Sequence, residues 1–284
     1  MIINVNKPPG YTSRDVVNIL SKHFNTKKVG HTGTLDPLAA GVLIVCTNED
    51  TKLVELLSAK TKEYTVQMQL GIKTDTGDIM GSVIEEKNVN IKEERLRECI
   101  NNFIGEYTQE VPAFSAVKVK GKKLYEYARN KESVTLPKRQ VVIYSSEFIK
   151  NEGKIVEFKV KVSKGTYIRS LINDICTKLN TIGTMSNLTR TAQGEFSLST
   201  SNELEDIKNN NFTTISKEKL LREYPFEKIT AANKKQILNG ALINKTFNSK
   251  YIIYTDKDDE VVAIYQEYVK DKNLAKPYIM FKIN

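Results

Sequence analysis

From Glu63 to Leu70 the chain alternates strictly, with Tyr64, Val66, Met68 and Leu70 on one side and Glu63, Thr65, Gln67 and Gln69 on the other. Period two is the repeat of a strand with one buried face. Val156, Phe158, Val160 and Val162 alternate with Glu157, Lys159 and Lys161 in the same way. Ile3 and Val5 open a shorter strand that stops at Lys7-Pro8-Pro9-Gly10, a turn sequence. Between these runs the period changes to that of a helix. Thr12-Ser13-Arg14-Asp15 reads as a helix start with Asp15 placed for a capping box, and Val16, Val17, Leu20 and Phe24 follow at helical spacing. The span 90–105 predicts a second helix, capped by Asn90, with Glu93 at its third position and Gly105 as its stop. Its apolar stripe would be Leu96, Cys99, Ile100, Phe103 and Ile104. Leu171, Ile172, Ile175 and Leu179 mark a third helix, just after Lys164-Gly165-Thr166-Tyr167-Ile168-Arg169.

Half-polar strands mixed with amphipathic helices predict an α+β fold: a mainly antiparallel sheet with helices packed on it. The polar stretch 201–211 reads as a loop-rich connector, so residues 1–228 are expected to form one domain and 229–284 a small second one. In the latter, 231–238 reads as a helix closed by Gly240. Runs 251–254, 261–265 and 278–283 read as strands, with a hairpin turn at 256–260.

Composition narrows the function classes. In 284 residues, 40% are hydrophobic and 27% charged, which suits a packed globular chain. No apolar run approaches the 18 residues of a membrane span. The N-terminus lacks a basic start followed by an apolar stretch, and the three cysteines, at 46, 99 and 176, sit in apolar surroundings. A reducing, cytoplasmic location is expected. His23 and His31 lie near no cysteine cluster, so spacing assembles no metal site. The net charge of +9 is concentrated at Lys118, Lys120, Lys122, Lys123, Arg129, Lys131, Lys138 and Arg139, interleaved with Tyr125 and Tyr127. Basic groups among aromatics suit phosphate contact and base stacking, although a solvated lysine-rich hairpin has the same look.

The segment Gly30-His31-Thr32-Gly33-Thr34-Leu35-Asp36-Pro37-Leu38-Ala39-Ala40-Gly41 carries the most chemistry. Its glycines permit tight turns, and Pro37 restricts the backbone of Asp36, so a rigid loop presents one carboxylate. It is not a phosphate-binding P-loop, and it lacks the paired carboxylates of a glycosidase. Thr74-Asp75-Thr76-Gly77-Asp78 lacks the ligand order of a calcium loop and reads as a turn between strands. Arg169, at a helix start, could pair with a buried carboxylate. Taken singly, Asp36 reads better as a turn residue before proline, Arg169 as a surface arginine and Tyr64 as a core aromatic.

Together, the motifs resemble a family. Residues 30–43 resemble the catalytic motif of the TruB family of bacterial tRNA pseudouridine-55 synthases. Asn6-Lys7-Pro8-Pro9-Gly10-Tyr11-Thr12-Ser13 resembles its opening motif, Lys62-Glu63-Tyr64 its tyrosine strand and Thr74-Asp75-Thr76 the turn after it. Residues 114–129 resemble its RNA-gripping insertion, taken here as about 106–140. Residues 164–171 resemble its arginine motif, and Leu188-Thr189-Arg190-Thr191 its last core motif. Residues 229–284 resemble its PUA-like RNA-binding domain.

The resemblance implies a pseudouridine synthase fold and isomerisation of the T-loop uridine of tRNA, without cofactor or metal, by a monomer needing no protein partner. Asp36 would be the essential carboxylate and Arg169 its ion-pair partner. Tyr64 would stack on the flipped base, Tyr167 and Leu188 would complete the pocket, and His31 would brace the space the base leaves. Lys122 and Lys123 would grip the T-arm. Two other readings are a non-catalytic RNA-binding or chaperone module, and a related synthase acting on another RNA.

Exchange of both Lys122 and Lys123 for Glu is expected to weaken T-arm RNA binding and flatten its salt dependence, since each phosphate contact releases counterions. Turnover of fully bound RNA changes much less. Filter binding across a salt series checks this, and unchanged affinity at moderate salt removes the insertion from the binding surface.

Overall fold

The computed structural model describes residues 1–58 and 61–281. The chain opens with β1 (Ile2–Lys7), α1 (Ser13–His23), β2 (Val29–His31) and β3 (Ala40–Thr47). A 3-10 turn at Asn48–Leu53 then runs into α2 (Val54–Ser58), followed by β4 (Lys62–Leu70). A hairpin of β5 (Ile72–Thr74) and β6 (Val83–Glu86) precedes α3 (Glu93–Asn101) and β7 (Gly105–Glu110). The insertion holds a small hairpin, β8 (Lys118–Val119) and β9 (Lys122–Lys123), and α4 (Leu124–Arg129). Then come β10 (Lys138–Glu152), β11 (Ile155–Val162), α5 (Ile168–Lys178), β12 (Gly183–Gln193), β13 (Phe196–Ser197), β14 (Asn202–Glu203), α6 (Leu204–Lys208) and α7 (Lys217–Leu221). The last part comprises β15 (Phe226–Lys228), α8 (Lys234–Leu238), β16 (Ile243–Asn244), β17 (Tyr251–Thr255), β18 (Val261–Tyr268) and β19 (Asp271–Met280).

Among the described residues, ten strands join in one sheet, ordered β14-β1-β3-β12-β4-β11-β10-β7, with β13 beside β12 and β2 beside β3. Only the β1–β14 and β3–β12 pairs are parallel, so the sheet is mixed and mainly antiparallel as the alternation predicted. A second sheet runs β15-β17-β18-β19-β16 and gives the β-rich C-terminal part. No described helix is long and apolar enough to cross a membrane.

Burial follows the periodicity. The β4 residues Tyr64, Val66, Met68 and Leu70 pack with Val156, Phe158 and Val160 of β11 and with Leu171, Ile172 and Ile175 of α5. Strand β3 is covered on both faces, which is why it reads as a continuous apolar run. Leu43 and Val45 face α1 and α6, whereas Val42, Ile44 and Cys46 face the C-terminal sheet. Thr12 caps α1 in a complete capping box with Asp15.

Four expectations need correction. Helix α3 begins at Glu93 after an uncapped Lys92, not at Asn90, because Val89 and Ile91 pack on the core ahead of it. Ile104 lies past its end and is 50% exposed, so it is not part of the stripe. The stretch 201–211 is no loop: β14 extends the main sheet, and Leu204 and Ile207 bury the inner side of α6. The last strand starts earlier than 278, because β19 pairs with β18 from Asp271 onward through polar residues that show no alternation. Lys282 and Ile283, counted in that predicted strand, lie outside the described residues.

Gly41 fixes the approach of β3 to β12. Its φ is +102°, and a Cβ there would lie 2.2 Å from the Arg190 carbonyl oxygen. Gly41→Ala is expected to cost at least about 2 kcal/mol in urea denaturation, since strain and a backbone clash combine. Gly10→Ala, at φ +86° with open space around it, serves as the control. Its cost is expected to be about 1 kcal/mol. Equal losses would show that the strand contact carries no extra weight.

Candidate active site

The loop between β2 and β3 carries Asp36, and its backbone is tied from several directions. Ser13, in the first turn of α1, accepts from the Leu35 N–H at 2.9 Å and donates to the Leu35 carbonyl at 3.3 Å. The Pro37 carbonyl accepts from the Gly10 N–H at 2.8 Å and from Lys7 Nζ at 3.5 Å. Lys7 is wholly buried and also donates to the carbonyls of Pro8 and Tyr11, at 3.0 and 2.5 Å. Burial lowers its pKa to about 8, with Asp36 pulling the other way. Arg190, 1% exposed, donates through Nη2 to the Gly33 carbonyl at 3.0 Å and through Nε to the Val42 carbonyl at 2.6 Å. Gln193 Nε2 donates to the Thr32 hydroxyl at 2.6 Å.

Arg169 meets this loop from the start of α5. Its Nε lies 3.0 Å from Asp36 Oδ2 and its Nη2 donates to Oδ1 at 3.1 Å, a two-pronged pair. The fork is itself aimed: Nη1 donates to the Thr76 carbonyl and Nη2 to the Phe114 carbonyl, both at 2.9 Å. The Thr74–Asp78 segment is thus a turn between two strands, as expected, and one of its carbonyls holds the arginine. Arg169 is 7% exposed and Asp36 31%. Burial pushes the Asp36 carboxyl above the ordinary carboxylate range; Arg169 opposes that and Asp78 adds to it. The oxygens are therefore reachable, desolvated and fixed in direction, which is what a reacting carboxylate needs.

A cavity of about 760 Å³ opens over this pair. Its walls include His31, Asp36, Tyr64, Tyr167, Arg169 and Leu188, so six of the residues singled out from sequence come together. Lys62, Arg139, Lys164 and Arg190 also line it, against Asp36 and Glu55 as the acids, so the cavity favours a polyanion. Burial, with Arg190 and Lys164 nearby, lowers the Lys62 pKa to about 8. Burial also lowers that of His31, so its imidazole stays neutral to lower pH than usual. Lys122 and Lys123 do not line the cavity. They stand on β9, where Lys122 Nζ pairs with Glu132 at 2.6 Å and sits over the Tyr127 ring at 4.6 Å. Lys123 lies over Tyr125, whose ring reaches the cavity wall.

Several positioning residues escaped the sequence reading. Gln109, 1% exposed, donates to the Tyr167 carbonyl at 3.0 Å and accepts from its N–H at 2.7 Å, setting the entry into α5 two residues before Arg169. Lys7 and Arg190 were quoted in motifs without a role, and Ser13 likewise. A signal was present: Ile3, Val5 and Lys7 share one face of β1, so an apolar stripe ends on a lysine.

Comparison with known proteins places the chain in a family. Residues 21–168 match the model of the TruB family pseudouridylate synthase (N terminal domain). A tRNA pseudouridine synthase B of Caldanaerobacter subterraneus is 44% identical, covering 87% of each chain. The protein of the same name from Limosilactobacillus reuteri is 39% identical over 100% of this chain and 99% of its own. Among solved structures, a chain of a Cbf5-Nop10-Gar1 complex superposes with TM-score 0.73 at 27% identity, covering 98% of this chain and 85% of that one. With the family model spanning more than half of the sequence and such relatives spanning most of it, the chain belongs to the TruB family of pseudouridylate synthases.

Proposed function

We propose that this protein converts one uridine in the T-loop of tRNA, position 55, to pseudouridine, acting alone as a monomer with Asp36 as the essential carboxylate. Pseudouridylation of tRNA follows from its relatives. The observation that supports the finer reading is the Asp36–Arg169 pair at the floor of a cationic cavity walled by Tyr64 and Leu188. Pure RNA binding has no use for a desolvated carboxylate facing a polyanion.

The reaction balances within the substrate. The bond from C1′ to N1 breaks, the uracil turns, C1′ bonds to C5, the C5 hydrogen leaves as a proton, and N1 gains one. No electron or group comes from outside. The uridine must leave its stack to reach the cavity, at a cost of a few kcal/mol. Stacking on the Tyr64 ring and contact with Leu188 offset part of that. Tyr167 and the neutral His31 complete the walls, and Asp36, directed by the Arg169 fork, reacts with the extruded nucleotide. The basic insertion, with Lys122 and Lys123, contacts the T-arm backbone, and residues 229–284 reach tRNA outside the T-loop.

Asp36→Asn keeps the side-chain shape but removes the charge. It is expected to retain T-arm RNA affinity and lose turnover by on the order of 10^4-fold or more. Release of the C5 hydrogen from labelled uridine, measured beside RNA binding, checks this; wild-type-like release sinks the mechanism.

The pH profile gives a second test. Asp36 must be ionised to act, and its pKa lies above the ordinary value. The acid limb of kcat/KM is therefore expected above the pH where a free aspartate titrates. Arg169→Lys loses the fork that favours the ionised form, so activity falls and the limb moves to still higher pH. A limb unmoved in the variant would break the link between Arg169 and Asp36.

A further inference from the structure

Helix α2 has five residues, too few to hold its own shape in water, so its position is set by what packs around it. On one side, Leu56 and Leu57, with Leu53 just before them, sit in an apolar cluster with Tyr251, Ile253 and Val261 of the C-terminal sheet and with Ile279 and Phe281. Lys52 Nζ also donates to the Met280 carbonyl at 2.6 Å. On the other side, α2 touches the cavity. Glu55 and Ser58 line it directly. The Leu57 carbonyl accepts from Gln193 Nε2 at 3.1 Å, and the same amide nitrogen donates to the Thr32 hydroxyl. The Ser58 carbonyl accepts from Lys62 Nζ at 2.7 Å. Val54 covers Gly30, where a Cβ would lie 3.3 Å from its Cγ2.

From this double contact we infer, resting on the proposed activity, that the C-terminal sheet is a positioning element for catalysis and not an RNA contact alone. Through α2 it fixes the wall formed by Gly30, His31, Thr32 and Lys62. A short helix clamped between this apolar cover and the Asp36 loop transmits any loosening of the cover to the loop. The residues that do this are Ile279 and Phe281 on the sheet side and Leu57 on the helix.

The test uses the full chain with Ile279→Ala and Phe281→Ala, and Ile279→Val as the conservative rescue. Three quantities are read: the single-turnover rate on saturating T-arm RNA, the Kd for that RNA, and amide hydrogen exchange at Thr32 and Gly33. The expected result is a rate lower by about 10- to 100-fold, as small misplacements of reacting groups produce. Kd stays unchanged, exchange at Thr32 and Gly33 rises, and Ile279→Val recovers most of the rate. Lys52→Ala, which cuts only the link to Met280 and the surface pair with Glu49, gives a milder shift of the same kind if the alanine variants do not fold. A wild-type rate, or faster exchange confined to the C-terminal sheet, overturns the inference, and so does a loss in Kd alone. Absence of turnover by the wild-type chain instead sinks the proposed activity, and the exchange at Thr32 and Gly33 still decides the coupling.

Discussion

Asp36 and Arg169 are tolerable at their depth only because each has the other. A guanidinium that is 7% exposed would be costly without a charge partner, and a carboxylate drawn out of water would take up a proton. Burial shifts Asp36 toward the protonated form, and the Arg169 charge and hydrogen bond oppose that. Much of the surrounding architecture keeps the two groups in register. The Arg169 fork is aimed by carbonyls from two separate loops, and the Asp36 loop is tied to α1, β1, β3 and β12.

These ties explain why so many buried polar residues surround one site. Lys7, Gln109, Arg190 and Gln193 are each almost fully enclosed, and each donates to at least one backbone carbonyl of the segments that frame the cavity, with Gln109 and Gln193 also donating to the Tyr107 and Thr32 hydroxyls. Such bonds add little net stability, but leaving any of these groups unmatched would be expensive. The loop geometry is therefore strongly specified. The close approach at Gly41 serves the same end, since β3 can deliver the loop beside Leu188 only where Arg190 comes within reach of a residue lacking a Cβ.

Sequence made the fold legible where one periodicity dominated. Strands β4 and β11, with helices α1 and α5, each pack a single face, and their patterns say so. It misled where apolar residues bury from an extended segment, as Val89 and Ile91 do before α3, or where a strand pairs through polar residues, as β19 does. For the site, the loop motif and the arginine motif were readable because their chemistry is concentrated in consecutive residues. Gln109 and Gln193 were not, because each is a lone amide in a strand whose partner lies far along the chain: Tyr167 for one, Leu57 and Thr32 for the other. The packing of α2 between the two sheets likewise depends on residues more than 190 positions apart, such as Leu56 and Tyr251, gathering in one apolar cluster, which no local pattern encodes.

The central claim is that a carboxylate held by Arg169 carries out the isomerisation on one loop of tRNA. It is tested most directly by mapping pseudouridine in RNA from cells whose only copy of this protein carries Asp36→Asn, made at the normal level. The account predicts uridine in place of pseudouridine at the T-loop position in tRNA and no change at other modified sites. Pseudouridine persisting there, when deletion of the whole protein removes it, would contradict the role of Asp36.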